Sequence, residues 1–415
     1  MTAATVSSDE SSRPSWVFLN TYARVGEHLN ATTAGCKGRN DLPICASLVR
    51  ERPPLPSNLY VHCSGGTLGE IPYLLSMVDD LILFDVYIGP PISVPSPLKS
   101  DFFIYRTDPK RPSLEMLPHP HGQVSRGDPF GIYPRGEDHY TIASLIIPSG
   151  FKSNLLFLLY LYDSKTKIWS RKKLSLEDPQ VEFPFKIPVN FCEILQHNTS
   201  TVITLKDSIG WVDLWRGIVF CDMLSKNHTL SCVPLPLPLK CTERAVDPSE
   251  TLGDAGFHRG IAFTNGCLRL VEVEFDVIVQ EPYVYDEETG WPCSRTKNWT
   301  ITTWTWTNKQ MRNSYDGWHK DCTLQASDIF LGDRSESELP PVALQNLFVA
   351  DPIIGMNEDG SHVIYLTARM KFMHPKSWVL AIDTRDHKVL SVAKSAPPPK
   401  PQFIDANYCT CSISK

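Results

Sequence analysis

Cysteine and histidine come first, because a thiolate or imidazole at the right spacing can hold a metal or act as a nucleophile. The 415-residue chain has twelve cysteines. Zinc sites pair one Cys-x2–4-Cys with a second such pair, or with His-x3–5-His. Cys36, Cys45, Cys63, Cys192, Cys221, Cys232, Cys241, Cys267, Cys293 and Cys322 are too scattered for that pattern. Cys409-Thr410-Cys411 is a lone close pair, and His119-Pro120-His121 is a lone histidine pair in a Pro-rich turn. Solvated loop residues explain both, so no metal site and no cofactor is expected.

Other chemistry leaves no linear trace either. Gly-x-Ser-x-Gly is missing, and Cys63-Ser64-Gly65-Gly66 reads as a glycine turn after a strand. There is no Gly-x-Gly-x-x-Gly and no Gly-Lys-Ser/Thr to cradle phosphate. The 46 acidic residues could include two carboxylates poised for glycoside hydrolysis, but spacing in sequence does not set spacing in space. No catalytic residue is assigned.

Aromatic residues are the other candidates. In Trp299-Thr300-Ile301-Thr302-Thr303-Trp304-Thr305-Trp306, Trp304 and Trp306 share one strand face, with Thr303 and Thr305 on the other. Such a stripe could stack sugars or bases, but packing between sheets is the commoner use. Gly210-Trp211-Val212-Asp213-Leu214-Trp215-Arg216-Gly217-Ile218-Val219-Phe220-Cys221-Asp222 reads as a hairpin turning at Trp215-Arg216-Gly217. Gly217 supplies backbone freedom, and Trp211 and Trp215 pack between sheets. Arg216 stacks on an indole or forks with Asp213 or Asp222, either as a ligand clamp or as a purely structural tie.

The elements that would position these residues are strands. Short runs rich in Val, Ile, Leu, Tyr, Phe and Trp alternate with Gly, Pro, Asn, Asp and Ser, and 34 prolines gather at strand ends. A weak repeat emerges. Leu158–Tyr162 runs into Asp163 and a polar turn, then Ile168-Trp169-Ser170. Ile218–Cys221 does the same through Asp222, and Val379–Ile382 through Asp383. Asp suits the turn because its carboxylate accepts N–H groups two residues on. The units recur about every 60–80 residues, a spacing that fits propeller blades with insertions. Val246–His258, Pro282–Asn298 and Gly332–Pro341 read as those insertions.

Composition agrees with a globular chain. Hydrophobic residues make up 42%, charged residues 21%, and net charge is −6. No basic stripe marks a nucleic-acid surface, and the longest apolar run, Leu155–Tyr162, is too short for a membrane span. Met1–Pro14 lacks the apolar core of a signal peptide. The expected place is therefore cytoplasmic or nuclear, with reduced thiols and unoccupied Asn-x-Ser/Thr sequences at Asn30, Asn198, Asn227 and Asn298.

The Gly210–Leu224 segment resembles the hallmark of a plant family expanded in grasses, domain of unknown function 1618. Ser15–Leu19, Asn30–Ala34, Leu59–Cys63, Asp101–Arg106 and Lys376–Asp383 fit the same family, extending the resemblance over roughly Ser15 to Lys394. Its signature residues here are Trp211, Asp213, Trp215, Arg216, Gly217 and Asp222. The resemblance implies no assigned activity. Some relatives look like the propellers that follow F-box motifs, but only Met1–Pro14 precedes Trp16 here.

The expected architecture is all-β: one propeller-like domain over 15–395, with six blades (alternatives five or seven), a 1–14 N-terminal tail and a Pro-rich 396–415 tail. A large sandwich or two β domains are the alternative folds. Closure of the ring should place Trp16–Leu19 in the sheet of the C-terminal hairpin, Trp378–Asp383 with Val389–Ala393. The expected function is a non-enzymatic scaffold for a protein partner, with neither nucleic acid nor membrane involved. The alternative is an enzyme whose site lies in the central channel.

Overall fold

Near-continuous apolar runs such as Leu81–Val86, buried at every position, give sheets with two apolar faces, which must stack on one another. The fold is seen in a computed structural model describing residues 16–90, 100–120, 124, 127–136, 138–146, 156–176, 197–236, 255–280, 282–307, 317–332, 338–356, 362–395 and 408–412.

Five antiparallel sheets follow in chain order, each a simple meander. They begin with Tyr73–Val78, Phe130–Pro134, Thr201–Thr204, Arg259–Thr264 and Phe348–Ile354, and form the second to sixth blades. The sixth adds Phe330–Leu331, parallel to its outer strand Lys388–Ser395. The first blade is composite. Trp16–Asn20 pairs antiparallel with Tyr408–Ser412, and Ser57 joins that pair to the sheet of Asn58–Cys63, Pro43–Val49 and Ala34–Lys37. The Ser57 N–H donates to Phe18 O at 2.7 Å, and its carbonyl accepts the Asn20 N–H at 3.1 Å.

The leading strands of the second to sixth blades touch in sequence, and Tyr408–Ser412 touches both the sixth and the second. Six inner strands therefore make a closed ring, and the protein is a six-bladed β-propeller. Six apolar cores fill the six seams between blades. Each blade feeds two of them: Trp211 and Val219 face the third blade, whereas Val212, Ile218 and Phe220 face the fifth.

The expected ring closure needs a correction. Trp16–Leu19 does not join the sheet of Trp378–Asp383; that hairpin belongs to the sixth blade. The closing partner is Tyr408–Ser412, inside the segment 396–415 expected to be a tail. A strand paired with residues at the far end of the sequence forms no local hairpin with them, and its sequence shows no repeat. Trp16 and Phe18 still share a core with Val379 and Ala381, from the neighbouring sheet. Residues 1–14 and 246–254 lie outside the described residues.

Tryptophan indoles stitch the blades together. Trp211 Nε1 donates to Pro129 O (3.1 Å), Trp318 to Pro234 O (2.8 Å), Trp378 to Glu338 O (3.0 Å) and Trp169 to Pro118 O (2.7 Å). Each combines apolar burial with a polar tie to a neighbouring segment. Trp304 and Trp306 are buried between the fourth and fifth blades, and Trp299 between the fifth and sixth.

Candidate interaction face

In an antiparallel meander, the turns between second and third strands emerge on the same face as the blade-to-blade connections. On the fourth to sixth blades that face gathers the signature turn, the short helix Ala255–His258, a long hairpin from the fifth blade and the Met370–Lys376 loop.

The signature turn is held by one carboxylate. Asp213 Oδ1 accepts the Trp215 N–H at 3.0 Å, while Oδ2 accepts Arg216 Nη1 and the Asn198 N–H, both at 2.9 Å. Three donors on a buried carboxylate rigidify the turn, and Arg216 bonds Asp213, one of its expected partners. Asp222 is elsewhere: its Oδ1 caps the opposite turn, accepting the N–H groups of Leu224 and Ser225. Gly217 needs no special freedom, lying in extended register between Asp213 and Pro234. Trp211 is fully buried, whereas Trp215 is half-buried.

A cation over the Trp215 indole is Arg259. Its guanidinium carbon lies 5.5 Å from the ring centroid. Arg259 Nη2 donates to Glu272 Oε2 at 2.7 Å and Nη1 to Leu214 O at 3.1 Å, with both charged side chains buried. Sequence reasoning missed this pair. The turn Asn265-Gly266, with φ of +52° and +75°, could have found it. Asn-Gly specifies a two-residue hairpin, which sets Thr264 against Cys267 and hence Arg259 against Glu272.

Ring contacts continue outward from Trp215. His258 lies 5.6 Å from Trp215 and stacks on Phe275 at 4.7 Å; Phe275 meets Phe348 at 5.1 Å. Phe348 meets Phe372 edge-on at 5.2 Å, and Phe372 meets Trp291 at 5.2 Å. This ladder links three blades. Its outer end is clasped by Lys371 Nζ, bonded to Asp286 Oδ1 (2.8 Å), Asp286 Oδ2 (2.7 Å) and Glu288 Oε2 (3.0 Å). The Lys371 bond and the Thr289 N–H hold the Asp286 carboxyl down at about 2, and the same acids raise Lys371.

The fifth-blade hairpin reaches past its sheet. Cys267–Val279 and Ser294–Trp306 pair over most of their length, beyond the ends of both flanking strands. Ile278, Val279, Tyr283, Val284, Tyr285 and Trp291 on this projection are exposed, and so is Met370 beside it. Pro282–Asn298, expected as a loop, is thus partly strand.

The close cysteine and histidine pairs, expected as solvated loop residues, fare differently. Cys409 sits in the closing strand, His119 rests 5.8 Å from the Phe102 ring, and His121 lies outside the described residues. Among the described residues no three His, Cys, Asp or Glu side chains gather as a metal-binding group, and no helix is long and apolar enough to cross a membrane.

No curated protein matches the chain. Among solved structures, similarity is seen to the mitotic checkpoint complex (10% identity, 79% of this chain and 77% of that one, TM-score 0.32). It is also seen to YjhT (8%, 92% and 98%, 0.36) and to the WD40 domain of SCAP from fission yeast (11%, 95% and 91%, 0.30). Residues 211–365, from Trp211 of the signature hairpin into the sixth blade, match the family described as protein of unknown function (DUF1618).

Proposed function

We propose that this propeller is a non-enzymatic, intracellular scaffold whose fourth-to-sixth-blade face docks a protein partner. The observation that carries the reading is the projecting hairpin. It shows water Ile278 at 46% exposure and Tyr285 at 63%, with Val279, Tyr283 and Val284 between them. Single exposed apolar residues are ordinary, but a run of them on one element marks an interaction site. Tyrosine and tryptophan suit such a site, since large rigid rings desolvate well and carry a polar tip. The ladder and the Lys371 clasp hold the hairpin against the sixth blade, so little ordering is needed on binding.

The test compares wild type with Tyr283→Ser/Tyr285→Ser as bait in cell extract. A protein retained by wild type, and lost from a variant with unchanged melting temperature, supports the reading. Identical retained sets would overturn it.

A further inference from the structure

The two edges of the projecting hairpin differ. The strand Ser294–Trp306 meets its outer neighbour only from Thr300 onward, but its free part is covered. Asn346 Nδ2 donates to Thr296 O at 3.0 Å, and Trp299 Nε1 donates to Leu344 O at 3.0 Å. The strand Cys267–Val279 loses its inner neighbour after Glu272. His258 Nδ1 lies 3.3 Å from Val273 O, and Phe275 packs on Phe348. Beyond that point Asp276, Ile278 and Val279 are exposed, and no strand among the described residues pairs with them on that side.

We infer that Asp276–Val279 is a docking edge, accepting from a partner protein an extended segment in which β-branched residues alternate with Lys or Arg. The inference rests on the scaffold reading above and gives its partner a chemistry. An open backbone edge offers donors and acceptors that only another strand satisfies in full. Natural edges of this kind are blunted by proline, lysine or a covering loop; Val277-Ile278-Val279 contains no proline or lysine, and no loop among the described residues pairs with it.

Charge selects the occupant. Glu274 and Asp276 lie on this strand, whereas Arg295 and Lys297 lie on the covered one. Cross-strand pairs of opposite charge stabilise and like pairs repel, so a basic strand is favoured here. A second copy is disfavoured twice. Pairing this edge with itself sets the same acids of two copies together, and the copy's other edge is closed by Leu344–Asn346.

The full chain is titrated by fluorescence anisotropy with a short labelled peptide of alternating Val and Lys. Controls are the Val/Glu counterpart and a Val/Lys peptide N-methylated on alternate residues. Saturable binding of the Val/Lys peptide alone supports the inference. Asp276→Lys should then weaken it about fivefold or more, the scale of one cross-strand charge pair reversed. Equal binding of the N-methylated peptide overturns strand addition, and equal binding of the Val/Glu peptide overturns the charge rule. Dimerisation that Ile278→Lys abolishes would assign the edge to a second copy. If no peptide binds while Tyr283→Ser/Tyr285→Ser still loses its partner, strand addition fails and the scaffold reading survives.

Discussion

Phe18 and Tyr408 stack with ring centroids 4.8 Å apart, although they come from opposite ends of the described chain. Tyr365 of the sixth blade packs on Phe18 and on Trp16, each at 5.5 Å, and Tyr408 also bonds the Ser395 hydroxyl. The ring is thus closed by an aromatic core as well as by a ladder of backbone bonds.

Ending the chain before Tyr408 should therefore leave one edge of Trp16–Asn20 open and strip Phe18 of its stacking partner. Aggregation by light scattering and a sharp drop in melting temperature are expected. Phe18→Ala alone should cost about 3–5 kcal/mol. Unchanged melting after truncation would show that the ladder contributes nothing to the ring.

The two signature tryptophans should part company. Trp211→Ala removes a fully buried ring and its bond to Pro129, and should cost about 3–5 kcal/mol in chemical denaturation. Trp215→Ala removes a half-buried ring over Arg259 and should cost about 1–2 kcal/mol. Equal losses would contradict the packing described.

Glu272→Gln should destabilise by about 3–5 kcal/mol, because it strands the buried Arg259 guanidinium. Arg259→Met together with Glu272→Leu should recover most of that loss, since two apolar groups need no partner. A double variant as weak as the single one would mean that the pair is needed for more than neutralising its own charges.

His197 packs beside Asp213 and Arg216, with both ring nitrogens buried. Burial, reinforced by the Arg216 charge, pushes its pKa down to about 4, although Asp213 pulls the other way. Folded His197 is then neutral where the unfolded residue, near 6.5, is already protonated. The unfolded state binds the extra proton, so stability falls as pH drops from about 6.5 to 4, by on the order of 3 kcal/mol. His197→Gln should flatten denaturation midpoints across that window. Asp163 and Asp286, both held down near 2, act only at lower pH.

Burial pushes the thiols of Cys221 and Cys232 up to about 12, so neither should react with a thiol reagent in the native protein. All twelve cysteines should titrate after unfolding without reductant. Protected pairs in protein from its native source would reverse the assignment to a reducing compartment.

Local physics was readable in advance and long-range pairing was not. Asp163 takes the N–H groups of Lys165 and Thr166, and Asp383 those of Arg385 and Asp386, as Asp opening a polar turn implies. Those turns made the blades visible. Trp304 and Trp306 were readable as inter-blade packing because alternation fixes a face. Tyr408–Ser412 was not, since its register is set by residues at the other end of the sequence. The signature turn was legible as a hairpin and Arg216 as a partner of Asp213, but the Arg259 guanidinium over its indole comes from the next blade and was not. The projecting edge was hidden as well. Nothing in Val277-Ile278-Val279 tells where the neighbouring strand stops.

Closure by Tyr408–Ser412 also sets a timetable. Trp16–Asn20 leaves the ribosome well ahead of its partner and must wait until Tyr408–Ser412 is made. At about 5–20 residues per second, that interval is roughly 20–80 s. Throughout it the first blade has an unsealed flank, and the five later blades can form beside it without completing the circle. The nascent protein is therefore most exposed to strand-seeking neighbours just before Tyr408–Ser412 emerges, and slowing translation ahead of that strand should raise the share that misassembles.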